Sequence, residues 1–278
     1  MSTLTFTLLV GLGSLVAGLL GALTGLGGGV VIVPLLVLAF KVDIRYAIGA
    51  SLISVIATSS GAAAAYVREG YSNIRIGMFL EMATTAGAIL GAFLATRLHT
   101  GTIGVVFGAV LILSAALSVR GPAAATGKEK PDALATRLRM DSSYPTKDGP
   151  EKYHVRRVPV GFGMMFGAGT LSGLLGIGSG ALKVLAMDLI MRVPFKVSTT
   201  TSNFMIGVTA AASAGIYLRR GFIVPGVAMP VIVGVLIGSL VGTRVLINAR
   251  PKVLRIIFSL VIVALGIEMI YGGFTGKI

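Results

Sequence analysis

The sequence lacks cysteine altogether and has only two histidines and ten acidic residues in 278 positions. It therefore contains no disulfide framework, no thiolate nucleophile and no thiolate metal site. His99 and His154 stand in a short loop and in a polar linker, where we expect them to be solvated. No cluster of His, Asp and Glu and no pair of nucleophile and base is visible. The sequence accordingly predicts no catalytic residue, no metal site and no cofactor, and it argues against an enzyme.

Charge is scarce and the apolar runs are long. Charged residues make up 12% of the chain and hydrophobic residues 55%, with a mean hydropathy of +0.93. A soluble protein carries about 25% charged residues, so a soluble fold of this length would lack the polar side chains to cover its surface. Uncharged stretches such as Met1–Phe40 exceed the roughly 20 residues that span a bilayer. The sequence predicts an all-α polytopic membrane protein.

The charges that are present are mostly basic, and they give a formal net charge of +14. In a soluble chain this excess would suggest nucleic acid, but here basic loops facing anionic lipid headgroups explain it better. We therefore expect the lipid bilayer as a partner and no nucleic acid. The polar stretch 121–157 is basic and rich in Gly and Pro, so it is predicted to be a cytoplasmic linker. We expect it to be partly disordered, with one short helix near Asp132–Met140.

The chain contains two related halves. Adding 151 to a position in the first half reaches its counterpart in the second half without gaps. This offset joins the tract Gly25–Gly29 to Gly176–Gly180, and a Tyr-x-Arg-x-Gly motif at Tyr66 to a second one at Tyr217. About a quarter of the pairs in the region that holds both motifs are identical. The sequence therefore predicts a duplicated membrane unit, which is typical of secondary transporters.

Each half offers five apolar segments, at roughly 4–24, 28–40, 46–67, 76–96 and 101–119 and at roughly 158–175, 179–191, 197–218, 223–247 and 253–272. An odd number of segments makes the halves run in opposite directions through the bilayer, so we predict two inverted repeats. The second segment of each half is too short for a full span. A Gly-rich broken or re-entrant helix is therefore expected in each half, and the number of full spans stays at eight or ten. The predicted domains are an N-terminal transmembrane repeat at 1–120, the linker at 121–157 and a C-terminal transmembrane repeat at 158–278.

The glycine tracts are the first candidate for a binding site. They do not form a phosphate loop, since no Gly-Lys-Ser/Thr sequence follows. Unwound backbone at membrane depth is tolerated only where it lines protein or a cavity, and free N–H groups before a helix can bind an anion. The alternative is that the glycines only let helices cross closely. The candidate substrate-binding residues of the tracts are Gly25, Gly27, Gly28, Gly29, Gly176, Gly178, Ser179 and Gly180.

The third segment of each half holds the second group of candidates. The run Ser198–Asn203 opens this segment in the second half. Its hydroxyls and amide could coordinate oxyanion oxygens, although Ser and Thr also cap helices or bond to the preceding turn. The arginines at the segment ends would bind an oxyanion through a guanidinium fork or satisfy the last helix carbonyls. The candidates of this group are Ser51, Thr58, Arg68, Thr200, Thr201, Ser202, Asn203 and Arg219.

Ionisable residues inside spans cost about +2.5 to +3.5 kcal/mol on insertion scales, so each is a functional candidate by default. Lys183 lies three residues after Gly180, where its ammonium would meet an anion held at the glycine tract. Asp188 lies on another face and is not expected to be its partner. Glu81 and Glu268 could carry protons, balance a cation or neutralise a neighbouring base. The sequence leaves the roles of these three acidic residues open.

Two halves with an apolar helix, a Gly-x-Gly-x-Gly tract, a Ser/Thr-bearing helix and an Arg-x-Gly turn resemble the TauE/SafE family of membrane permeases. The resemblance covers nearly the whole chain apart from residues 121–157. It implies export of small sulfur-containing anions, such as sulfite, sulfoacetate or related organosulfonates, through the inner (plasma) membrane of a bacterium. Ser179 stands where the first half has Gly28, and Lys183 where it has Ile32. The second half is therefore expected to hold more of the substrate.

Taken with the resemblance, the sequence predicts a multi-pass secondary transporter that exports a small anionic substrate by alternating access. A permease for another small solute, an amino acid or a metal cation, is the alternative, although the few buried carboxylates argue against cations. The exact substrate, the coupling ion, the direction of transport and the oligomeric state stay open, with a homo-oligomer among the candidates.

Overall fold

The computed structural model describes residues 2–24, 28–68, 71–119, 132–146, 149–248 and 251–278. The helices of the first half are α1 (Thr3–Thr24), α2 (Gly29–Pro34), α3 (Ile44–Arg68), α4 (Ile74–Ala95) and α5 (Thr100–Val119). The connecting region holds α6 (Ala133–Arg137), β1 (Ser142–Thr146) and β2 (Gly149–Tyr153). The helices of the second half are α7 (Val158–Leu175), α8 (Gly180–Leu185), α9 (Phe195–Arg219), α10 (Pro225–Asn248) and α11 (Pro251–Phe274).

This mostly helical architecture is that of a helical membrane protein. In the described part of the chain, three helices are long and apolar enough to cross a membrane by length and composition, over Thr3–Leu20, Ile74–Ala95 and Val158–Leu175. Large apolar side chains are exposed along the outer helices at helical spacing, as a lipid-facing surface requires. They include Leu4, Leu8, Leu12 and Val16 on α1 and Met229, Val233, Ile237 and Leu240 on α10.

The short second segment has the same construction in both halves. α2 continues into a π-helical turn at Leu35–Ala39, and α8 continues into one at Ala186–Ile190. Each turn is followed by a residue with left-handed backbone, Lys41 with φ 56° and Arg192 with φ 57°. Helical turns of this wide type occur mostly as local insertions in α-helices and often at functional sites. All these positions are 151 residues apart, so the duplication extends to the details of the backbone.

The offset of 151 residues makes α1 the counterpart of α7, α3 of α9, α4 of α10 and α5 of α11, and the helix pairs in contact follow the same relation. The most extensive contacts join α1 to α10 and α4 to α7, and these two pairs are counterparts of each other. The contacts of α3 with α10 and of α4 with α9 are likewise counterparts. The remaining extensive pairs, α3 with α9 and α5 with α11, each join a helix to its own counterpart. The two halves therefore interlock, and neither forms a separate helical bundle.

Glycines allow the closest of these crossings. A Cβ added at Gly18 would collide with the backbone of Val235, and one added at Gly169 would collide with the backbone of Thr84. These two contacts are equivalent, since Gly169 is the counterpart of Gly18 and Val235 is the counterpart of Thr84. The same kind of backbone contact occurs at Gly87, Gly91, Gly108, Gly173, Gly234 and Gly238. At these positions the helices associate tightly through small residues.

Equivalent residues from the first turns of α3 and α9 lie at opposite ends of α4. Arg45 donates hydrogen bonds to the carbonyls of Ala95 (3.3 Å) and Leu98 (2.8 Å), beyond the C-terminal end of α4, and stacks on the ring of Phe222. Its counterpart Lys196 stacks on the ring of Tyr71, three residues before α4 begins. Phe222 and Tyr71 are themselves counterparts. The same cation–π contact is therefore made twice, once at each end of a 22-residue helix.

The described part of the connecting region, 132–146 and 149–157, contains an element that the sequence does not predict. The expected short helix is present as α6, capped by Asp132, but the hairpin of β1 and β2 was not predicted. We call residues 132–146 and 149–157 the linker cap. Its side chains Ala135, Met140, Tyr153 and Val155 are buried in a cluster that also includes residues of α4, α7 and α9. Burial of this apolar surface stabilises the cap, which a composition rich in Gly, Pro and charge does not reveal.

Candidate functional site

The two glycine tracts meet inside the helical core. Gly25 and Gly27 lie outside the described residues. A Cβ added at Gly29 would lie 3.0 Å from the carbonyl oxygen of Gly176 and 2.7 Å from Oγ of Ser51. Ser51 donates a hydrogen bond from this hydroxyl to the Gly176 carbonyl at 2.8 Å. The structure thus brings together Gly28 and Gly29 at the start of α2, Ser51 on α3 and Gly176 after α7.

The second tract has a locally irregular backbone. Gly176 and Gly178 have φ values of 68° and 69°, and Ser179 has a φ of 44°. A left-handed conformation suits glycine and is unfavourable for serine. Ser179 is buried, and its Oγ has no hydrogen-bond partner in the structure. An unpartnered buried hydroxyl next to a strained turn calls for a functional explanation.

The hydroxyls of the run Ser198–Asn203 contact other elements. Ser202 donates to the carbonyl of Gly180 at 3.3 Å, and Thr200 donates to the carbonyl of Tyr71 at 3.1 Å. Thr201 accepts a hydrogen bond from the backbone N–H of Asn73 at 3.0 Å. The N-cap of α9 is Pro194, so these side chains do not cap the helix as the alternative interpretation supposed. They tie α9 to the second glycine tract and to the turn before α4, while Asn203 is half-buried.

The most unusual polar group of the interior is Lys183 on α8, which is fully buried. Its Nζ donates a hydrogen bond to Oγ1 of Thr209 on α9 at 2.6 Å. Thr209 in turn donates from the same oxygen to Oε1 of Glu81 on α4 at 2.7 Å. A lysine, a threonine and a glutamate from three helices therefore form a continuous chain, with one hydroxyl bridging the two charges. We call this arrangement the Glu81–Thr209–Lys183 chain.

The carboxylate end of this chain is unevenly satisfied. Oε1 of Glu81 also accepts a hydrogen bond from Thr85 at 3.0 Å. Oε2 is buried and has no partner in the structure. A buried carboxylate oxygen needs hydrogen bonds to offset the loss of water. Oε2 is therefore an unsatisfied acceptor, in contrast to Oε1.

Sequence reasoning identified Lys183 but not its partner. Asp188 was set aside as a partner because it lies on another face, and Glu81 was one of three acidic residues whose roles the sequence left open. Glu81 and Thr209 are 128 positions apart, so no local spacing could have paired them. A usable signal was present, because Thr84 and Thr85 follow Glu81 on the same apolar helix. Glu268, by contrast, is exposed on α11.

Of the two arginine candidates, only the side chain of Arg219 is described, and it does not join this site. Arg219 is exposed in the last turn of α9. Only the backbone of Arg68 is described, at the end of α3. Thr58, the counterpart of Thr209, is half-buried and bonds to carbonyls of its own helix, Ser54 at 3.0 Å and Val55 at 3.2 Å. The described residues contain no group of three His, Cys, Asp or Glu side chains that could hold a metal ion.

The interlocked apolar helices with a charged chain in their core define a polytopic membrane protein with a buried polar site. The family model described as "Sulfite exporter TauE/SafE" matches residues 10–269, so the chain belongs to the TauE/SafE family. The sequence-based resemblance to this family is thereby confirmed. No solved structure matches the chain significantly.

Curated relatives from bacteria match over most of their length. "Probable membrane transporter protein YunE" of Bacillus subtilis (strain 168) is 29% identical over 278 residues, covering 97% of this chain and 99% of the relative. "Probable membrane transporter protein YdhB" of the same organism is 28% identical, with 85% and 88% coverage. A "Probable membrane transporter protein" of Xylella fastidiosa (strain 9a5c) is 27% identical, with 94% of each chain covered. These names describe transporters and not enzymes.

Proposed function

We propose that this protein is a secondary transporter that exports small sulfur-containing anions, such as sulfite, sulfoacetate or related organosulfonates, across the bacterial inner membrane. The family description and the names of the relatives support a transporter of this class. The observation that carries the anion assignment is the fully buried ammonium of Lys183. A buried cation in a protein is paired or serves a function, and one within a membrane core marks a pathway for substrate or ions.

The substrate is proposed to bind where the glycine tracts meet Ser51, Ser179 and Lys183. Ser179 and Lys183 belong to the same short stretch of chain, about one helical turn apart at the start of α8, where the backbone N–H of Lys183 donates to the carbonyl of Ser179. The free Oγ of Ser179 offers a hydrogen-bond donor to an oxyanion, and the two glycine tracts approach each other at Gly29 and Gly176. Tetrahedral or pyramidal sulfur oxyanions match a site built of one charge and several neutral donors.

Alternating access is proposed to arise from two halves of inverted topology. Two observations support this arrangement. Each extensive helix contact between the halves has an equivalent at the offset of 151 residues, and the equivalent residues Arg45 and Lys196 make their contacts at opposite ends of α4. In transporters of this kind the site lies at the interface of the repeats, and one repeat rocks against the other. The Glu81–Thr209–Lys183 chain joins α4 of the first half to α8 and α9 of the second, which fits that position.

Binding to the purified protein tests the proposal. We expect saturable binding of sulfite or sulfoacetate in a panel that also contains taurine, sulfate, chloride, an amino acid and a divalent metal ion. Selective binding of the amino acid or the metal ion would contradict the anion assignment and favour the alternative permease, for which the buried carboxylate of Glu81 would be the cation ligand.

The role of Lys183 is tested in the same assay. Replacing Lys183 by Met should weaken anion binding at least about a hundredfold, since losing one partner of a buried charge pair costs about 3–5 kcal/mol. The double variant Lys183→Met with Glu81→Gln leaves no unpaired buried charge and guards against a folding defect. Lys196→Met is the control, because this lysine is exposed at the start of α9. Wild-type affinity in a well-folded double variant would exclude Lys183 as the anion ligand.

A further inference from the structure

The Glu81–Thr209–Lys183 chain is electrically neutral when both end groups are charged. The Lys183 ammonium donates to Thr209. The Thr209 hydroxyl lies 2.7 Å from the Glu81 carboxylate and 2.9 Å from the neutral carbonyl of Met205, and it donates to the charged and nearer acceptor, so the protons of the chain point from the positive to the negative end. Charge-assisted hydrogen bonds of this polarity are stronger than neutral ones. An anion that enters this site adds at least one uncompensated negative charge to a buried environment, and sulfoacetate adds two, which is strongly unfavourable.

The unpartnered Oε2 of Glu81 offers a way to remove that charge. Oε1 already accepts hydrogen bonds from Thr209 and Thr85, whereas Oε2 has no partner. A proton from solvent hydronium that adds to Oε2 leaves both bonds at Oε1 in place and forms one new O–H bond. Glu81 then becomes a neutral acid, the Lys183 ammonium is left without its counter-ion, and the site as a whole carries one positive charge.

We infer that Glu81 is the proton-binding residue of this transporter and that it takes up a proton when an anion binds at Lys183. This inference rests on the proposed anion transport and names its coupling ion. In the empty state Lys183 is balanced by ionised Glu81. In the loaded state the Lys183 ammonium pairs with one negative charge of the anion, while Glu81 is protonated at Oε2 and adds no further negative charge. Proton and anion therefore bind together, and each raises the affinity for the other.

The duplicated half supplies a built-in comparison. The counterparts of Lys183, Thr209 and Glu81 are Ile32, Thr58 and Ile232. Ile32 is fully buried in the apolar core and Ile232 is half-buried, in an equivalent arrangement of helices. The fold thus accepts apolar residues in these positions, and a buried ion pair generally adds little stability over apolar replacements. Structural need does not account for the charges of the second site.

The other described charged and titratable side chains on α3, α4 and α9 are bonded, stacked or exposed away from the Glu81–Thr209–Lys183 chain. On α4, Arg75 donates to the carbonyl of Arg139 in the linker cap at 3.1 Å. On α9, Lys196 stacks on Tyr71, Tyr217 donates to the carbonyl of Gly173 at 3.1 Å, and Arg219 is exposed. On α3, Arg45 is bonded to two carbonyls and Tyr46 packs on Phe222.

The π-helical turn after α8 holds Asp188, which is buried and makes interactions of its own. Helices α5 and α7 contribute no ionisable residue. Lys183 and Glu81 are the electrostatic partners of each other. Glu81 is thus the acid placed to exchange a proton in response to a charge at Lys183.

The test measures the affinity for sulfoacetate, whose acidic groups do not titrate near neutrality, over a neutral-to-alkaline pH series. For the wild type, the affinity should fall about tenfold for each unit of rising pH once Glu81 is ionised, because one proton must be taken up for each anion bound. Indicator-dye measurements in weak buffer should show uptake of about one proton per sulfoacetate. Glu81→Gln, which imitates the protonated acid, should bind sulfoacetate with little dependence on pH.

Thr209 is a positioning residue, because its hydroxyl bridges Lys183 and Glu81. Substitutions that remove or keep this hydroxyl test its role. Thr209→Val should alter the pH profile of binding, and Thr209→Ser, which keeps the hydroxyl, should restore it. Thr58→Val is the matched control at the counterpart position, where the hydroxyl bonds only to its own helix. Its pH profile should be that of the wild type.

The outcomes separate the two proposals. A wild type that binds sulfoacetate equally well at all pH values, with no proton uptake, overturns the role of Glu81 and leaves anion transport intact. The same pH dependence in Glu81→Gln as in the wild type also overturns it, because another group would then bind the proton. If the Gln variant does not fold, the wild-type measurement and the Thr209 series still decide. No binding of any anion by folded wild type refutes the proposed function itself.

Discussion

Ser51 shows how one side chain can join two parts of a duplicated protein. Its hydroxyl donates to the carbonyl of Gly176, and Gly29 lies against both groups. Position 29 has no space for a larger residue, because an added Cβ would lie 2.7 Å from the serine oxygen. A serine and two glycines therefore fix the distance between the tracts. At this scale, function and packing use the same residues.

The packing role of individual glycines can be measured on α7, where two glycines two positions apart differ in surroundings. A Cβ at Gly169 would collide with the backbone of Thr84, while one at Gly167 would meet nothing within 4 Å. Gly169→Ala should therefore lower the free energy of unfolding by about 1–3 kcal/mol through overpacking. Gly167→Ala is the control and should be neutral or stabilising by up to about 1 kcal/mol, from helix propensity. Thermal unfolding in detergent compares them, and equal melting temperatures would contradict the close crossing.

The linker cap illustrates how elements are held together across the duplication. Asn73 caps α4 by accepting from the N–H of Ile76 at 3.1 Å, and its Nδ2 donates to the carbonyl of Met140 and to the hydroxyl of Tyr153. Burial raises the pKa of Tyr153 above its usual value, so the phenol keeps its proton at neutral pH. The side chain of Asn73 thus connects the start of α4 to the linker cap, and its backbone N–H connects both to Thr201 on α9.

Substitutions of Asn73 and of its partner Tyr153 should loosen the linker cap to different extents. Asn73→Ala removes the N-cap of α4 and both hydrogen bonds to the linker cap. We expect this to lower the free energy of unfolding by about 1 kcal/mol or more. Tyr153→Phe removes one hydrogen bond and leaves the N-cap of α4 intact. Hydrogen exchange of residues 132–157 should therefore accelerate strongly in Asn73→Ala and slightly in Tyr153→Phe. Identical protection in both variants and the wild type would show that apolar burial alone holds the cap.

The proposed inverted topology belongs to the whole molecule and can be tested by labelling. The chain has no cysteine, so introduced cysteines react without background. Lys41 and Arg192 are exposed counterparts with the same left-handed backbone. In intact cells, a membrane-impermeant maleimide should label Lys41→Cys, whereas Arg192→Cys should react only after permeabilisation. Ser143→Cys in the linker cap is the control for the inner side. Labelling of both counterparts from the same side would refute an inverted repeat.

Several features of this protein could be read from its sequence because they depend on local pattern. Apolar runs predict helices that a bilayer can accommodate, and the ten predicted segments agree with the observed helices to within a few residues, as 46–67 does with Ile44–Arg68. The offset of 151 relates the π-helical turns and the left-handed residues that follow them. The hairpin of the linker cap was missed, since its stability comes from Tyr153 and Met140 buried against distant helices.

Which polar residues meet was decided by the tertiary structure alone. The sequence marked Lys183 and Glu81 as ionisable residues in apolar surroundings, but it did not single out Thr209, which joins them. Their contact depends on how α4, α8 and α9 cross, and those crossings are set by packing over the full length of each helix. A hydrogen bond forms only within about 3 Å, far finer than the register that hydropathy defines. Composition and repetition therefore determined the membrane fold, whereas the interlocking of the halves brought the ammonium, hydroxyl and carboxylate together.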